Sequence, residues 1–221
     1  MRWSVTSCFA WKLYVILDRD AAEDRDLADL AAAAIRGGAD ALQLRDKTGS
    51  ARRVMAQAAR LLAITRPAGI PLIINDRADL ARAAGADGVH LGQDDLPVAE
   101  ARAILGAGRL IGKSSHSLDQ AMAAGAEGPD YVGFGPVFPT PTKPDYGSVG
   151  LDLISRVISA VRVPVVCIGG IDLATLPQVL ASGAERVAVV RAVCKTADPE
   201  AATRALKHQL TQFPRASPTR I

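Results

Sequence analysis

The residues able to do phosphate and metal chemistry fall in short clusters, each directly after a short apolar run. The first four are Gln43-Leu44-Arg45-Asp46-Lys47, Asn75-Asp76-Arg77, Gln93-Asp94-Asp95 and Lys113-Ser114-Ser115-His116. A longer one runs Gly133-Phe134-Gly135-Pro136-Val137-Phe138-Pro139-Thr140-Pro141-Thr142-Lys143, and the last two are Gly169-Gly170-Ile171-Asp172 and Val190-Arg191. Loops are polar in any protein, but that does not account for seven successive clusters carrying cations, carboxylates and hydroxyls. Arg45, Lys47, Lys143 and Lys113 supply positive charge. An Arg forks onto phosphate oxygens, while a Lys acts as a point charge. Asp76 and Asp95 stand at the ends of consecutive apolar runs. Two carboxylates among cations suit a hard divalent ion, Mg²⁺, bridged to a substrate phosphate. The plainer alternative is that they are loop carboxylates salt-bridged to Arg45 or Arg77. Gly169-Gly170, ahead of a helix expected to begin near Asp172, suits an anion received by backbone N–H groups and a helix N-terminus. Two anion sites and one metal are therefore expected.

Such clusters need a scaffold that brings strand ends together. One phrase recurs four times: a helical stretch, then glycine, alanine and an acid, then a short apolar strand. It ends in Gly38-Ala39-Asp40, Gly85-Ala86-Asp87, Gly125-Ala126-Glu127 and Gly183-Ala184-Glu185, the third with Gly128-Pro129-Asp130 before its strand. Glycine past a helix end supplies a left-handed C-cap. The strands are nearly all apolar, as strands buried on both faces should be. Strands are expected near 13–17, 41–44, 71–74, 88–91, 110–112, 131–133, 164–168 and 186–190, with helices such as 24–36, 51–64, 78–84, 98–105 and 151–161 between them. Eight strand–helix units in 221 residues predict an α/β fold, a single-domain (β/α)8 TIM barrel. An open doubly wound sheet is the alternative, because periodicity does not report closure. In the barrel, residues just after each strand share one face, which is where the clusters lie. The expected boundaries are an N-terminal extension over 1–11, the barrel over 12–212 and a flexible tail over 213–221.

Composition narrows the function. Hydrophobic residues make up 49%, charged residues 22% and aromatics 4%, so the core is built from alanine and branched aliphatics. Net charge is +3 and the basic residues are dispersed, against a nucleic-acid partner. No apolar run reaches the ~18 residues of a membrane span, and the start lacks the apolar region of a signal peptide. Cys8, Cys167 and Cys194 are odd in number and lack metal-ligand spacing, which suits a reducing cytoplasm. A P-loop is excluded because Ala107 stands where its first glycine belongs, and no dinucleotide fingerprint, HExxH or GxSxG occurs. His90 lies inside a strand, as a core or a catalytic histidine; His116 lies at a strand end; His208 is expected to be structural. Tyr131, Phe134, Phe138 and Tyr146 gather around the sixth strand's loop, as company for a flat ring.

Taken in order, Gln43-Leu44-Arg45-Asp46-Lys47, Ile74-Asn75-Asp76-Arg77-Ala78-Asp79, Gly88-Val89-His90-Leu91-Gly92-Gln93-Asp94-Asp95, Ser114-Ser115-His116, the 133–143 segment and Ile168-Gly169-Gly170-Ile171 resemble the thiamine-phosphate synthase family. The resemblance runs from about residue 13 to 193. It implies a transferase that joins 4-amino-2-methyl-5-hydroxymethylpyrimidine diphosphate to a thiazole phosphate, giving thiamine phosphate and diphosphate. It implies that Gln43, Leu44, Arg45, Asp46, Lys47, Asn75, Ser114 and Lys143 bind the pyrimidine diphosphate. Thr140, Pro141, Thr142, Gly170, Val190 and Arg191 would contact the thiazole phosphate, and Asp76 and Asp95 would hold Mg²⁺. The implied mechanism is dissociative and needs no protein nucleophile. Two positions depart from the family pattern: Lys113, where a small apolar residue is expected, and Arg191, where many members carry Ser. The implied partners are small phosphorylated substrates, with no nucleic acid and no membrane; a homo-oligomer is compatible. A thiazole tautomerase-like relative would need no diphosphate site, a non-catalytic phosphate sensor would need no metal, and a phosphosugar isomerase would show a clearer acid/base pair.

Overall fold

The computed structural model describes residues 8, 10–141 and 147–213. Eight parallel strands follow one another around a closed barrel: β1 Leu13–Asp18, β2 Ala41–Arg45, β3 Leu72–Asn75, β4 Gly88–Leu91, β5 Leu110–Ser115, β6 Tyr131–Phe134, β7 Val165–Ile168 and β8 Val187–Val189. Pairing of Leu13 with Val187 and of Tyr14 with Ala188 joins the first strand to the last, so the sheet is a (β/α)8 barrel and not an open doubly wound sheet. Helices fill the crossovers, among them Leu27–Arg36, Ala51–Ala68, Ala78–Ala84, Val98–Leu105, Leu118–Ala126 and Asp152–Ala160. β5 runs three residues beyond the expected 110–112, because Lys113 still pairs with Leu91 and Val132, and Ser115 with Phe134.

The recurring phrase has a structural job at the barrel's N-terminal rim. Gly38, Gly85 and Gly183 have positive φ (96°, 68° and 95°). The N–H of the next residue then reaches back five positions: Ala39 to Ala34, Ala86 to Ala81, Ala184 to Val179. That closes each helix with a Schellman-type cap. The acid that follows ties down a neighbouring strand. Asp40 accepts from the N–H groups of Lys12 (2.8 Å) and Leu13 (2.9 Å), and Asp87 from Leu72 (2.9 Å). The third repeat differs: Gly125 stays helical, Gly128 takes the positive φ, and Asp130, not Glu127, accepts from Ile111 (2.8 Å). The inserted Gly128-Pro129-Asp130 moves the turn three residues along.

A second core plugs the barrel interior, built from Trp11, Tyr14, Ile16, Ala41, Ile73, Leu110, Tyr131, Val166 and Ala188 with Cys8. Trp11 lies in the segment expected to be an extension, yet its ring packs against Tyr14 and Tyr131 at 5.8 and 5.6 Å between centroids. Gly112 leaves room for this cluster: a Cβ there would stand 2.2 Å from the Tyr131 ring and 2.4 Å from His90 Nδ1. Gly112→Ala is therefore expected to cost about 1–3 kcal/mol, read as a lower Tm in thermal unfolding. Phe134 does not join this group or the ring-binding role expected of it; it is buried between sheet and helices, because it falls on the outward-facing parity of β6. All three cysteines are free and buried. Burial pushes the Cys8 and Cys167 thiols up to about 12, and Cys194 to about 11, which removes them as nucleophiles at neutral pH. Among the described residues, no helix is long and apolar enough to cross a membrane.

Candidate active site

A cavity of 460 Å³ opens where the strands end at their C-terminal side. Its walls include Gln43, Arg45, Lys47, Asn75, Asp76, Ser114, Thr140, Pro141, Gly170, Val190 and Arg191, so residues from β2, β3 and β5–β8 converge on one space. The charged corner lies over β1–β4. There the Lys47 ammonium is 2.8 Å from Asp76 Oδ2. Asp76 sits in a left-handed backbone conformation (φ 62°), inside a three-residue turn in which the Arg77 N–H donates to the Asn75 carbonyl at 2.7 Å. A non-glycine residue held there stores strain, and such strain collects at functional sites.

The Asp95 carboxyl lies close enough to that of Asp76 for the two to interact. Burial raises the Asp95 pKa, the contact with Asp76 raises it further, and Lys47 acts in the opposite direction. Two crowded oxygen ligands with a single nearby lysine fit a hard divalent cation. No group of three or more metal-ligating side chains occurs among the described residues. The protein thus offers two carboxylates, a donor set suited to Mg²⁺, which keeps waters and substrate phosphate oxygens as its other ligands.

The cavity floor is polar. Gln43 Nε2 donates to the Tyr14 hydroxyl (2.8 Å), which meets the Tyr131 hydroxyl (3.1 Å). The Tyr131 hydroxyl also meets His90 Nδ1 (3.1 Å), and His90 Nε2 meets Ser114 Oγ (2.9 Å). This chain crosses the barrel interior and joins two of the expected pyrimidine-site residues, Gln43 and Ser114. His90 belongs to it, while His116 turns toward the Gly135 carbonyl. Burial raises the pKa of both tyrosines, so they stay neutral hydrogen-bonding groups.

Opposite the charged corner, Gly169 and Gly170 both have positive φ (104° and 64°). They pass directly under the β6 loop: a Cβ on Gly170 would lie 2.6 Å from the Phe138 Cβ, and Phe138 N–H donates to the Gly169 carbonyl at 3.0 Å. The helix expected near Asp172 begins at Leu176. The Asp172 carboxylate instead accepts from the N–H groups of Ala174 (2.9 Å) and Thr175 (3.0 Å), which shapes a turn. An anion here would meet the backbone of Gly169 and Gly170, not the N-terminus of the Leu176–Ala181 helix.

Two residues expected at the diphosphate face elsewhere. Leu44 alternates outward from Gln43 and Arg45 and is buried in the core between sheet and helices. The Asp46 carboxylate is clamped by Arg53, with Nε at 2.7 Å and Nη2 at 2.6 Å, and braces the loop into the next helix. Arg191 lines the cavity mouth and is exposed. Thr142 and Lys143, with Tyr146, lie outside the described residues, as does the tail beyond Phe213. Sequence reading passed over Asp18. It is 1% exposed at the end of β1, its Oδ1 accepts from the Ala21 N–H (2.7 Å), and its Oδ2 takes Arg45 Nη1. The usable signal was an acid closing an apolar strand, the rule that located the other clusters, applied to the first strand as well.

A family model described as thiamine monophosphate synthase matches residues 13–193. The chain belongs to the thiamine monophosphate synthase family. Among the family's curated proteins, the thiamine-phosphate synthase of Roseiflexus castenholzii is 50% identical over 195 residues, covering 88% of this chain and 86% of that protein. The thiamine-phosphate synthase of Chloroflexus aurantiacus is 44% identical over 205 residues, 92% and 94% of the two chains. A solved family structure, thiamine phosphate pyrophosphorylase from Pyrococcus furiosus, superposes with a TM-score of 0.84 at 36% identity and covers 91% of this chain and 96% of its own.

Proposed function

We propose that this protein is a thiamine-phosphate synthase: a transferase joining 4-amino-2-methyl-5-hydroxymethylpyrimidine diphosphate to a thiazole phosphate, with release of diphosphate. The observation that carries the reading is a single cavity with two unlike corners. One holds Arg45, Lys47 and Asp76, with Asp95 beside Asp76; the other is built from glycine backbone, Thr140 and Pro141. At 460 Å³ it lies in the range of small-molecule sites.

In this reading the C–O bond of the pyrimidine diphosphate breaks, and its electron pair leaves with diphosphate. The methylene becomes cation-like, and the thiazole nitrogen lone pair forms the new C–N bond. Mg²⁺ held by Asp76 and Asp95 supplies, when bound, positive charge to the leaving diphosphate. Arg45 presents its fork to the diphosphate from a fixed position, since Asp18 holds one of its nitrogens. Lys47 and Asn75 complete that corner, and Lys143 is assigned to the diphosphate by the family resemblance alone. Gln43 and Ser114, set by the Tyr14–Tyr131–His90 chain, orient the pyrimidine. Thr140, Thr142, Gly170, Val190 and Arg191 hold the thiazole phosphate. Catalysis then consists of aligning two bound substrates and stabilising departing charge, with no protein nucleophile. A cytoplasmic location belongs to the same reading, because three free cysteines fit a reducing compartment.

The test is incubation with the pyrimidine diphosphate, thiazole phosphate and Mg²⁺, with thiamine phosphate followed by chromatography. Formation of thiamine phosphate supports the reading. Absence of product overturns it, and an aromatised thiazole phosphate formed without coupling would favour a tautomerase.

A further inference from the structure

Lys113 is the residue whose type fits its surroundings least. On β5, Leu110, Gly112 and Ser114 face the barrel interior, whereas Ile111 faces the surrounding helices. Lys113 shares the parity of Ile111, a position that in a parallel barrel strand is normally apolar. It is 4% exposed, and placing an ammonium there costs desolvation that a specific partner must offset. That partner is the Gly92 carbonyl, 2.9 Å from Nζ.

Gly92 is the first residue after β4 and one position beyond Leu91, which pairs with Lys113. Its N–H donates to Asp95 Oδ2 at 2.6 Å. Both backbone groups of Gly92 are thus taken: the N–H by Asp95, the carbonyl by Lys113. The adjoining Gln93 side chain also crosses to the Ser114 carbonyl on β5. The turn that aims Asp95 at Asp76 is therefore anchored to the neighbouring strand through a buried lysine.

We propose that Lys113 is a positioning residue that fixes the Gly92–Asp95 turn and, through it, the carboxylate facing Asp76. The proposal deepens the synthase reading and rests on it for its second readout only. The first readout needs neither metal nor substrate: amide hydrogen exchange of residues 92–95 in the metal-free protein. Lys113→Met keeps the length and apolar stem but removes the donor. It is expected to speed exchange in this turn about tenfold, the effect of one lost charge-assisted hydrogen bond. The Mg²⁺ concentration for half-maximal coupling is expected to rise by about the same factor, with the KM for thiazole phosphate unchanged. Lys113→Arg, which restores a cationic donor, is expected to recover both. Unaltered exchange in a folded Lys113→Met protein overturns the proposal. So does an equal loss in every kinetic parameter with a lowered Tm, which would mark Lys113 as a general packing residue. If wild type forms no thiamine phosphate while exchange still responds, the synthase reading fails and the anchoring of the turn stands.

Discussion

Replacing Asp76 by Asn is expected to lower the coupling rate about a thousandfold, roughly 4 kcal/mol of lost transition-state stabilisation. Asp76 is the carboxylate on which the charged corner converges: Lys47 pairs with it and Asp95 lies beside it. Asn is the informative replacement, because it tolerates the left-handed backbone at φ 62° as Asp does and keeps a hydrogen-bonding oxygen. Only the negative charge is lost. The Lys47 partner is about half exposed, and exposed ion pairs contribute about 0–1 kcal/mol, so the Tm is expected to hold within a few degrees. Steady-state rates across a Mg²⁺ titration, set beside thermal unfolding, check this. A variant with wild-type rate and Mg²⁺ response would remove Asp76 from the metal site.

Arg45→Ala is expected to act on both binding and folding. Loss of its fork should lower kcat/KM for the pyrimidine diphosphate about a hundredfold, on the order of 3 kcal/mol, while leaving the KM for thiazole phosphate near its starting value. The same change strands the buried Asp18 carboxylate. Removing one partner of a buried pair typically costs about 3 kcal/mol or more, so the Tm should fall too. The double variant Asp18→Asn/Arg45→Ala separates the effects. It no longer buries an unpaired charge and is expected to regain stability without regaining diphosphate affinity. Recovery of both, or an equal loss for the two substrates in Arg45→Ala, would mean that Arg45 serves structure and not the diphosphate.

The legibility of the fold and site in the sequence follows the range of the interactions involved. Helix caps are local, so Gly38, Gly85 and Gly183 announced their turns. Gly125 did not behave as its repeat suggested, because the inserted Gly128-Pro129-Asp130 moved the cap downstream. Asp76, Asp95, Arg45 and Lys47 were legible because a barrel places whatever follows a strand on one face. Leu44 and Asp46 stand in the same segment, but their side chains turn away from the cavity. The pleat sends Leu44 to the outer core, and Arg53, in the first turn of the next helix, claims Asp46. Asp18 closes its apolar strand as the other site residues do, but its role is set by Arg45, 27 residues away.

The sequence by itself determined the strand–helix rhythm, the chemical inventory at the strand ends and, through its motifs, the family. Each of these is carried by neighbours along the chain or by the order of short segments. Only the tertiary structure decided that the sheet closes through β1 and β8, that the interior is plugged by Trp11, Tyr14 and Tyr131, and that Lys113 reaches Gly92 instead of the cavity. Those outcomes depend on which face of a strand each side chain takes and on pairings between distant segments, and both are fixed only when the eight strands share one barrel.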